Sequence, residues 1–462
     1  MRWIKQTYLL ITVATALLVS CRIARPYAPP APPSGDLFRG ASTGDTANMA
    51  SLPYTQIFTD TILQGLIAEG IHNNPNLQIA YTSIQQAQAY LQQSRLAFLP
   101  SANANASAAL SKLADIQGGK GTGSVPQIQL GLTTAWEADI WGRLASTRRA
   151  NLAALLESEA YSRAVQTGLV ASIANYYYLL LSLDKQLTIT NQTVELRRTT
   201  LETMRALKEG AVVTGAAVVQ SEANLYAAEV TIPDLRQNIR ETENALSILL
   251  ARSPAPIPRD SLDDQQPLPV LQTGIPAQLL QNRPDVQESV YAFRNAFELT
   301  NVAYASFYPA FTITGSGGLL SAGFARFFAT GALFGNVAAG LTQPIFNRGL
   351  NRTQLAVARA NQQAALLTYQ NTLLVAGQEV SDALYLHQTA LEKMSTRVYQ
   401  ITALQRSVEY TQELLNNGFA NYTEVLTAQQ SLLSAELSSV NDRLQQLQAI
   451  VNLYSALGGG WR

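Results

Sequence analysis

The 462-residue chain contains one cysteine and two histidines. The lone thiol, Cys21, rules out an internal disulfide framework. His72 and His387 are far apart, and no Cys-x-x-Cys, His-Glu-x-x-His, P-loop or Gly-x-Ser-x-Gly pattern accompanies them. Such spacings gather metal ligands, phosphate-binding amides or an activated nucleophile. Their absence argues against an enzyme, a resident cofactor or a metal site. Charge is scarce too: 14% of residues are charged, against roughly a quarter in a typical soluble domain. The 32 basic and 32 acidic residues cancel, leaving no net field to draw nucleic acid. Beyond the N-terminus no apolar run reaches the ~18 residues of a spanning helix. A membrane β-barrel fits this composition, and so does a soluble protein rich in Gln, Asn, Ser and Thr.

The first residues read as an export signal. Arg2 and Lys5 form a positive start, Tyr8 to Val19 an apolar stretch, and Leu18-Val19-Ser20-Cys21 resembles a bacterial lipobox. The alternative is a short buried helix with an incidental cysteine. Residues 1–20 are therefore expected to be a signal peptide, with Cys21 acylated as the mature N-terminus. Residue 22 is Arg, not the Asp that commonly retains lipoproteins at the inner membrane, which favours the outer membrane. Residues 21–56, including Pro29-Pro30-Ala31-Pro32-Pro33, read as a semi-rigid strap that buries little.

The remainder is written twice. Pro75 and Pro284 recur 209 residues apart, and so do Pro100 and Pro309. Asp139 to Arg143 aligns with Pro344 to Arg348 at 205, and Gly210 with Gly418 at 208. Each copy has a helical stretch, two alternating segments around a glycine-containing loop, and a very long helical hairpin. The first copy spans 57–251, with strands at 101–111 and 128–140 and a hairpin tip near 210. The second spans 284–462, with strands at 311–320 and 336–346 and a tip near 418. A linker at 252–283 joins them. Arg143 to Glu209 and Leu350 to Asn417 contain no proline, and at ~1.5 Å per residue each could span about 100 Å. The returning helices are expected at 216–250, with a joint at Pro233, and at 423–457. The segments of about ten residues match a tilted strand crossing a bilayer. Four strands cannot close a barrel, and an open edge in lipid strands backbone groups. Either the strands are soluble, or two chains pool eight strands, or three chains pool twelve around a lumen.

Ile275-Pro276-Ala277-Gln278-Leu279-Leu280-Gln281-Asn282-Arg283-Pro284-Asp285-Val286, the ending Ala456-Leu457-Gly458-Gly459-Gly460-Trp461, and the stretch Phe58 to Ala80 carry a resemblance. With the lipobox, they resemble the TolC-type outer-membrane efflux family, in its lipoprotein branch serving resistance-nodulation-division (RND) pumps. The resemblance implies a mixed α and β membrane protein whose homotrimer forms a 12-stranded β-barrel, embedded in outer-membrane lipid, and a periplasmic α-helical barrel. An equatorial domain would form from 252–283 plus the terminal segments. It implies a passive export duct for small molecules, docked to a periplasmic adaptor (membrane fusion) protein and an inner-membrane RND pump. The turns Gly210-Ala211-Val212 and Gly418-Phe419-Ala420 would be the adaptor-contacting tips, the glycines supplying the left-handed residue such turns need. Family carboxylates just past the glycine ring the gate. Glu424 falls on one such position, and Thr427 replaces the usual Asp at the other, thinning that ring.

Rival readings remain at this stage: a protein-secretion duct, a structural periplasmic lipoprotein without a pore, or a periplasmic enzyme. A solvated helix-start carboxylate is the plain alternative for Glu424. Tyr176-Tyr177-Tyr178 reads as packing rather than an aromatic cage, and Arg148-Arg149 and Arg197-Arg198 as solvated helix faces. Phe324, Phe327, Phe328 and Phe334 would meet lipid or plug the mouth.

Overall fold

The computed structural model describes residues 24–31, 37, 39, 48–111, 125–266, 278 and 282–462. The first copy contains α1 (Thr61–Asn73), α2 (Pro75–Leu96), β1 (Ser101–Ser111), β2 (Val125–Ala138), α3 (Arg143–Glu209), α4 (Gly215–Glu229) and α5 (Thr231–Leu249). The second contains α6 (Pro284–Ala305), β3 (Ala310–Ser321), β4 (Leu333–Thr342), α7 (Leu350–Asn416) and α8 (Tyr422–Ala456). No described helix is long and apolar enough to cross a membrane.

Local chemistry explains the repeated landmarks. Pro75 and Pro284 each take the first position of a 22-residue helix, where the missing N–H has no intrahelical partner to lose. Asn74 caps α2, its Oδ1 accepting from the amides of Asn76 (2.9 Å) and Leu77 (3.2 Å). Gly142 (φ 75) and Gly349 (φ 81) end the turns into α3 and α7, each a 67-residue helix. That fixes the repeat at 207 residues here, not 205. The joint expected at Pro233 falls at Val230, between α4 and α5. A proline at 233 cannot bond the carbonyl of residue 229 and its ring crowds it, so the first helix stops at Glu229.

Strand ends shift from their sequence-based positions. β2 covers 125–138, not 128–140, because Asp139 is taken as a helix cap: its carboxylate accepts from the amides of Leu144 (2.9 Å) and Ala145 (2.7 Å). β4 covers 333–342, not 336–346; Pro344 cannot donate to a ladder. β3 covers 310–321 rather than 311–320, pairing Ala310 with Thr342.

The chain divides into two compact units. The first comprises Met1–Ala31, Ser83–Ser158 and Glu288–Tyr369 and holds the sheet, antiparallel in the order β1-β2-β3-β4. Its register sorts side chains by chemistry. One face carries Ala102, Ala104, Ala106, Ala108 and Leu110, then Ile128, Leu130, Leu132 and Trp136. It continues with Phe311, Ile313 and Leu319 and ends with Leu333, Val337, Ala339 and Leu341, with Thr134 and Ser321 as its polar exceptions. The opposite face carries Asn103, Asn105, Gln127, Gln129, Thr133, Glu137, Thr312, Thr314, Ser316 and Asn336, with Leu320 and Phe334 as its apolar exceptions. Among the described residues much of the apolar face is left uncovered: Leu132 is 60% exposed and Val337 80%. At the helical end, the Trp136 indole donates to the Phe98 carbonyl (2.8 Å) and that of Trp141 to Pro309 (2.7 Å). The strap is less free than its composition suggests. The Arg25 amide donates to Asn301 Oδ1 (3.1 Å), the Asn301 amide nitrogen donates to the Arg25 carbonyl (3.2 Å), and Tyr27 packs on Phe293 and Phe297. A proline-rich extended segment has no ladder of its own, and one asparagine side chain satisfies both of these backbone groups.

The second unit comprises Pro32–Thr82, Glu159–Gln287 and Gln370–Arg462. Leu63, Ile67, Leu77, Ile173, Leu180 and Leu181 are fully buried there. Asp60 Oδ2 accepts from the Tyr177 hydroxyl (2.5 Å) and from Gln265 (2.9 Å). Burial, then the Asp60 carboxylate, pushes the Tyr177 hydroxyl well above its ordinary pKa. The three tyrosines are packing residues: Tyr177 and Tyr178 are buried and meet edge to face, while Tyr176 lies partly outside.

Candidate functional site

The turns ending α3 and α7 are the same motif with different residues. The Val212 amide donates to the Leu207 carbonyl and the Phe419 amide to Leu414, both at 2.8 Å, closing six-residue loops of the Schellman type. The left-handed residue is Gly418 (φ 76) in one and Ala211 (φ 59) in the other. Gly210 was expected to take that role and does not. The equivalent residues lie 207 apart, so Gly210 matches Asn417, not Gly418. A left-handed alanine costs roughly 1 kcal/mol relative to glycine. Ala211→Gly should therefore stabilise its tip by about that amount and Gly418→Ala destabilise the other similarly. Hydrogen-exchange protection of the flanking turns measures both.

One apolar cluster ties the two turns together. Met204, Leu415, Tyr422 and Val425 are buried, with Leu207, Val213, Ala217, Val218 and Leu426 packed on them, and the Tyr422 hydroxyl donates to Ser221 Oγ (3.1 Å). Outside this cluster Val212 and Phe419 stand exposed, at 61% and 82%. Ala211, Gly418 and Ala420 share that surface. Glu424 sits in the first turn of α8. Its amide donates to Asn421 Oδ1 (3.2 Å), the helix cap, and its carboxylate accepts from Asn421 Nδ2 (3.2 Å). Thr427, one turn on, donates to the Thr423 carbonyl (2.8 Å). Both side chains are exposed on one face of α8. Cys21 and the expected signal peptide, residues 1–20, lie outside the described residues.

Sequence reasoning missed several polar residues. Arg197, expected on a solvated face, is 8% exposed and donates to the Asn224 carbonyl (2.5 Å). Burial lowers its pKa. Helix periodicity had no way to show that α4 covers it. Arg149 reaches the buried Glu298 (2.8 Å). Arg259 bridges Asp184 and Glu243, which raise its pKa. Arg283, in the Arg-Pro-Asp motif, holds Asp285 (2.6 Å), Glu379 (2.7 Å) and the Ala456 carbonyl (2.8 Å).

A hollow of about 510 Å³ in the second unit is bordered by Lys185, Asp263, Glu436 and Arg443. The Lys185–Asp263 pair (2.5 Å) crosses it, and burial raises the pKa of Glu436. It holds no nucleophile with an adjacent base. Among the described residues no cluster of three His, Cys, Asp or Glu could hold a metal ion. What the chain offers is two-faced strands and a paired tip.

Known proteins match this arrangement. The model of the family described as outer membrane efflux protein matches residues 66–252 and 275–459, once per copy. The antibiotic efflux pump outer membrane protein ArpC of Pseudomonas putida is 29% identical, over 99% of this chain and 96% of that protein. A membrane protein from Pseudomonas aeruginosa superposes with a TM-score of 0.88 at 27% identity, over 96% of this chain and 98% of that one. The open-state MtrE outer membrane channel of Neisseria gonorrhoeae gives 0.85 at 25% identity, over 96% and 99%.

Proposed function

The chain belongs to the outer membrane efflux protein family, and from that premise we propose that three copies pool their sheets into one closed barrel and serve as the exit duct of a tripartite pump. It is an outer-membrane channel component of an efflux system, in a family of transport ducts rather than an enzyme class. The observation carrying the trimer is the open four-stranded sheet, apolar on one face and polar on the other, with β1 and β4 as free edges. In lipid each unpaired backbone group costs several kcal/mol, so the edges must meet other copies. Eight strands give an interior that side chains fill, and twelve leave a lumen. The polar face supports the wider ring, because Gly131, Ala135, Gly318, Ala338 and Gly340 are too small to fill a core. The apolar face then meets lipid and the polar face lines the passage. Native mass spectrometry of the detergent-extracted protein should give three chains with single-channel conductance in planar bilayers. A stable monomer, or trimers that conduct nothing, overturns this reading.

The duct is passive, and the energy comes from an inner-membrane RND pump through a periplasmic adaptor. Exposed Val212 and Phe419, beside Ala211, Gly418 and Ala420, form the adaptor-facing surface. The apolar cluster beneath them holds the tips shut, and docking favours an open form through its higher affinity for it. Glu424 contributes one carboxylate per chain to the gate, and Thr427 contributes none. Glu424→Gln removes three like charges and should weaken divalent-cation block of conductance while leaving the trimer intact. Unchanged block would make Glu424 a helix-start carboxylate alone. Small molecules are the cargo class, as the name of the similar antibiotic efflux protein suggests.

Cleavage before Cys21 and acylation there give a lipid-anchored N-terminus. One acyl chain binds only marginally, so the barrel shares the anchoring. Mass spectrometry of the mature protein should find a lipid-modified Cys21 as its first residue, and a retained Met1 would refute it.

A further inference from the structure

Glu137 is the only charged residue on the four strands. It lies on the polar face, opposite Thr312, where β2 gives way to α3. The turn at Gly142 (φ 75) brings Arg143, the first residue of α3, back onto it. Two parallel bonds result, Nε to Oε1 at 3.1 Å and Nη2 to Oε2 at 2.6 Å. Neither side chain is sequestered: they are 39% and 26% exposed. Arg143 is not needed as a cap, since Asp139 already accepts from the Leu144 and Ala145 amides. The second copy has no counterpart, because β4 is uncharged and α7 begins with Leu350. On the described strands each chain therefore contributes one carboxylate, which one guanidinium offsets, while Asp139 beside them is engaged by the α3 amides.

We infer that the Glu137–Arg143 pair is the ion-selectivity determinant of the barrel wall: the described strands' sole carboxylate is offset within its own ring by Arg143, so solutes of either sign pass. This rests on the reading of the polar face as the lumen of a three-chain barrel. Twelve strands about 4.8 Å apart and tilted by about 40° enclose a radius of roughly 12 Å. The screening length is ~10 Å at 0.1 M salt and ~3 Å at 1 M. Three unbalanced wall charges therefore reach the axis at the lower salt and are screened at the higher. A bidentate pair presents only a dipole, whose field falls off faster than that of a charge.

Reversal potentials in KCl gradients across planar bilayers test this, using the full-length protein with Glu424→Gln so that the tip carboxylate does not set the sign. At ~0.1 M, Arg143→Gln should raise the cation-to-anion permeability ratio about two- to threefold, from Coulomb's law with screening. Glu137→Gln should lower it by a similar factor, and the double variant should return to the parent value. All shifts should collapse at 1 M, and Arg143→Lys should leave the ratio near the parent. A purely structural staple would move both single variants in the same direction or neither, and either result overturns the proposal. Parent trimers that fail to conduct would overturn the channel reading itself. Conducting parents with unshifted variants would overturn this inference alone.

Discussion

Leu132→Arg should nearly abolish assembled channel in the membrane, whereas Thr133→Arg, one residue along, should leave most of it. Both residues lie mid-strand on β2, Leu132 opposite Ala104 and Gly317, and Thr133 opposite Asn103 and Ser316. The first set belongs to the apolar face and the second to the polar one. An arginine facing the bilayer midplane of a barrel costs about 2–4 kcal/mol per copy, and the trimer carries three copies. At 1.4 kcal/mol per tenfold, even the lower figure, three times over, lowers the assembly constant by about four orders of magnitude. A lumen-facing arginine keeps its hydration and costs little. Quantifying heat-modifiable trimer in outer-membrane fractions checks the pair. Equal losses would mean the strand faces are assigned the wrong way round.

That contrast was legible before any coordinates, because period-two alternation from Ile128 to Trp136 is a local property of one strand. The long helices were legible for the same reason: proline-free runs between Gly142 and Gly210 and between Gly349 and Gly418 leave few other conformations. The ends were less so. Asp139 continues the alternation by composition, yet a carboxylate one residue past the strand is worth more as a cap on α3 than as a ladder residue. At the first tip the glycine drew attention, but Ala211 carries the left-handed turn, and an alanine in that conformation has no sequence signature. Arg197 looks like an ordinary helix-surface cation until α4 lies over it. The Glu137–Arg143 pair was invisible as a pair because strand and helix periods give no rule across a turn. The sheet needed other copies to be understood at all.

Gly458→Ala should cost far more than Gly460→Ala, roughly 2–5 kcal/mol, from overpacking against rigid neighbours together with left-handed backbone strain. Two terms combine. Gly458 has φ +88, a conformation L side chains rarely adopt, and a Cβ there would lie 2.4 Å from the Asn282 carbonyl oxygen and 2.8 Å from the Arg283 Cα. These are backbone atoms and cannot swing aside. Moving them displaces Arg283, which is 6% exposed and holds Asp285, Glu379 and the Ala456 carbonyl. The Trp461 indole, which donates to the Asn282 carbonyl (3.2 Å), would also lose its seat. Gly460→Ala separates the two terms. Its φ is +93, but its nearest neighbours would be no closer than 3.4 Å, so only backbone strain of roughly 1–2 kcal/mol remains. Gly65→Ala, in α1 with nothing within 4 Å, should stabilise by about 0.5–1 kcal/mol through helix propensity. Thermal denaturation of purified trimers should rank the three as 458 far below 460, and 460 below 65. If Gly458→Ala and Gly460→Ala prove equally mild, the chain end does not rest on the Asn282–Arg283 backbone, and the three glycines before Trp461 serve something other than close approach.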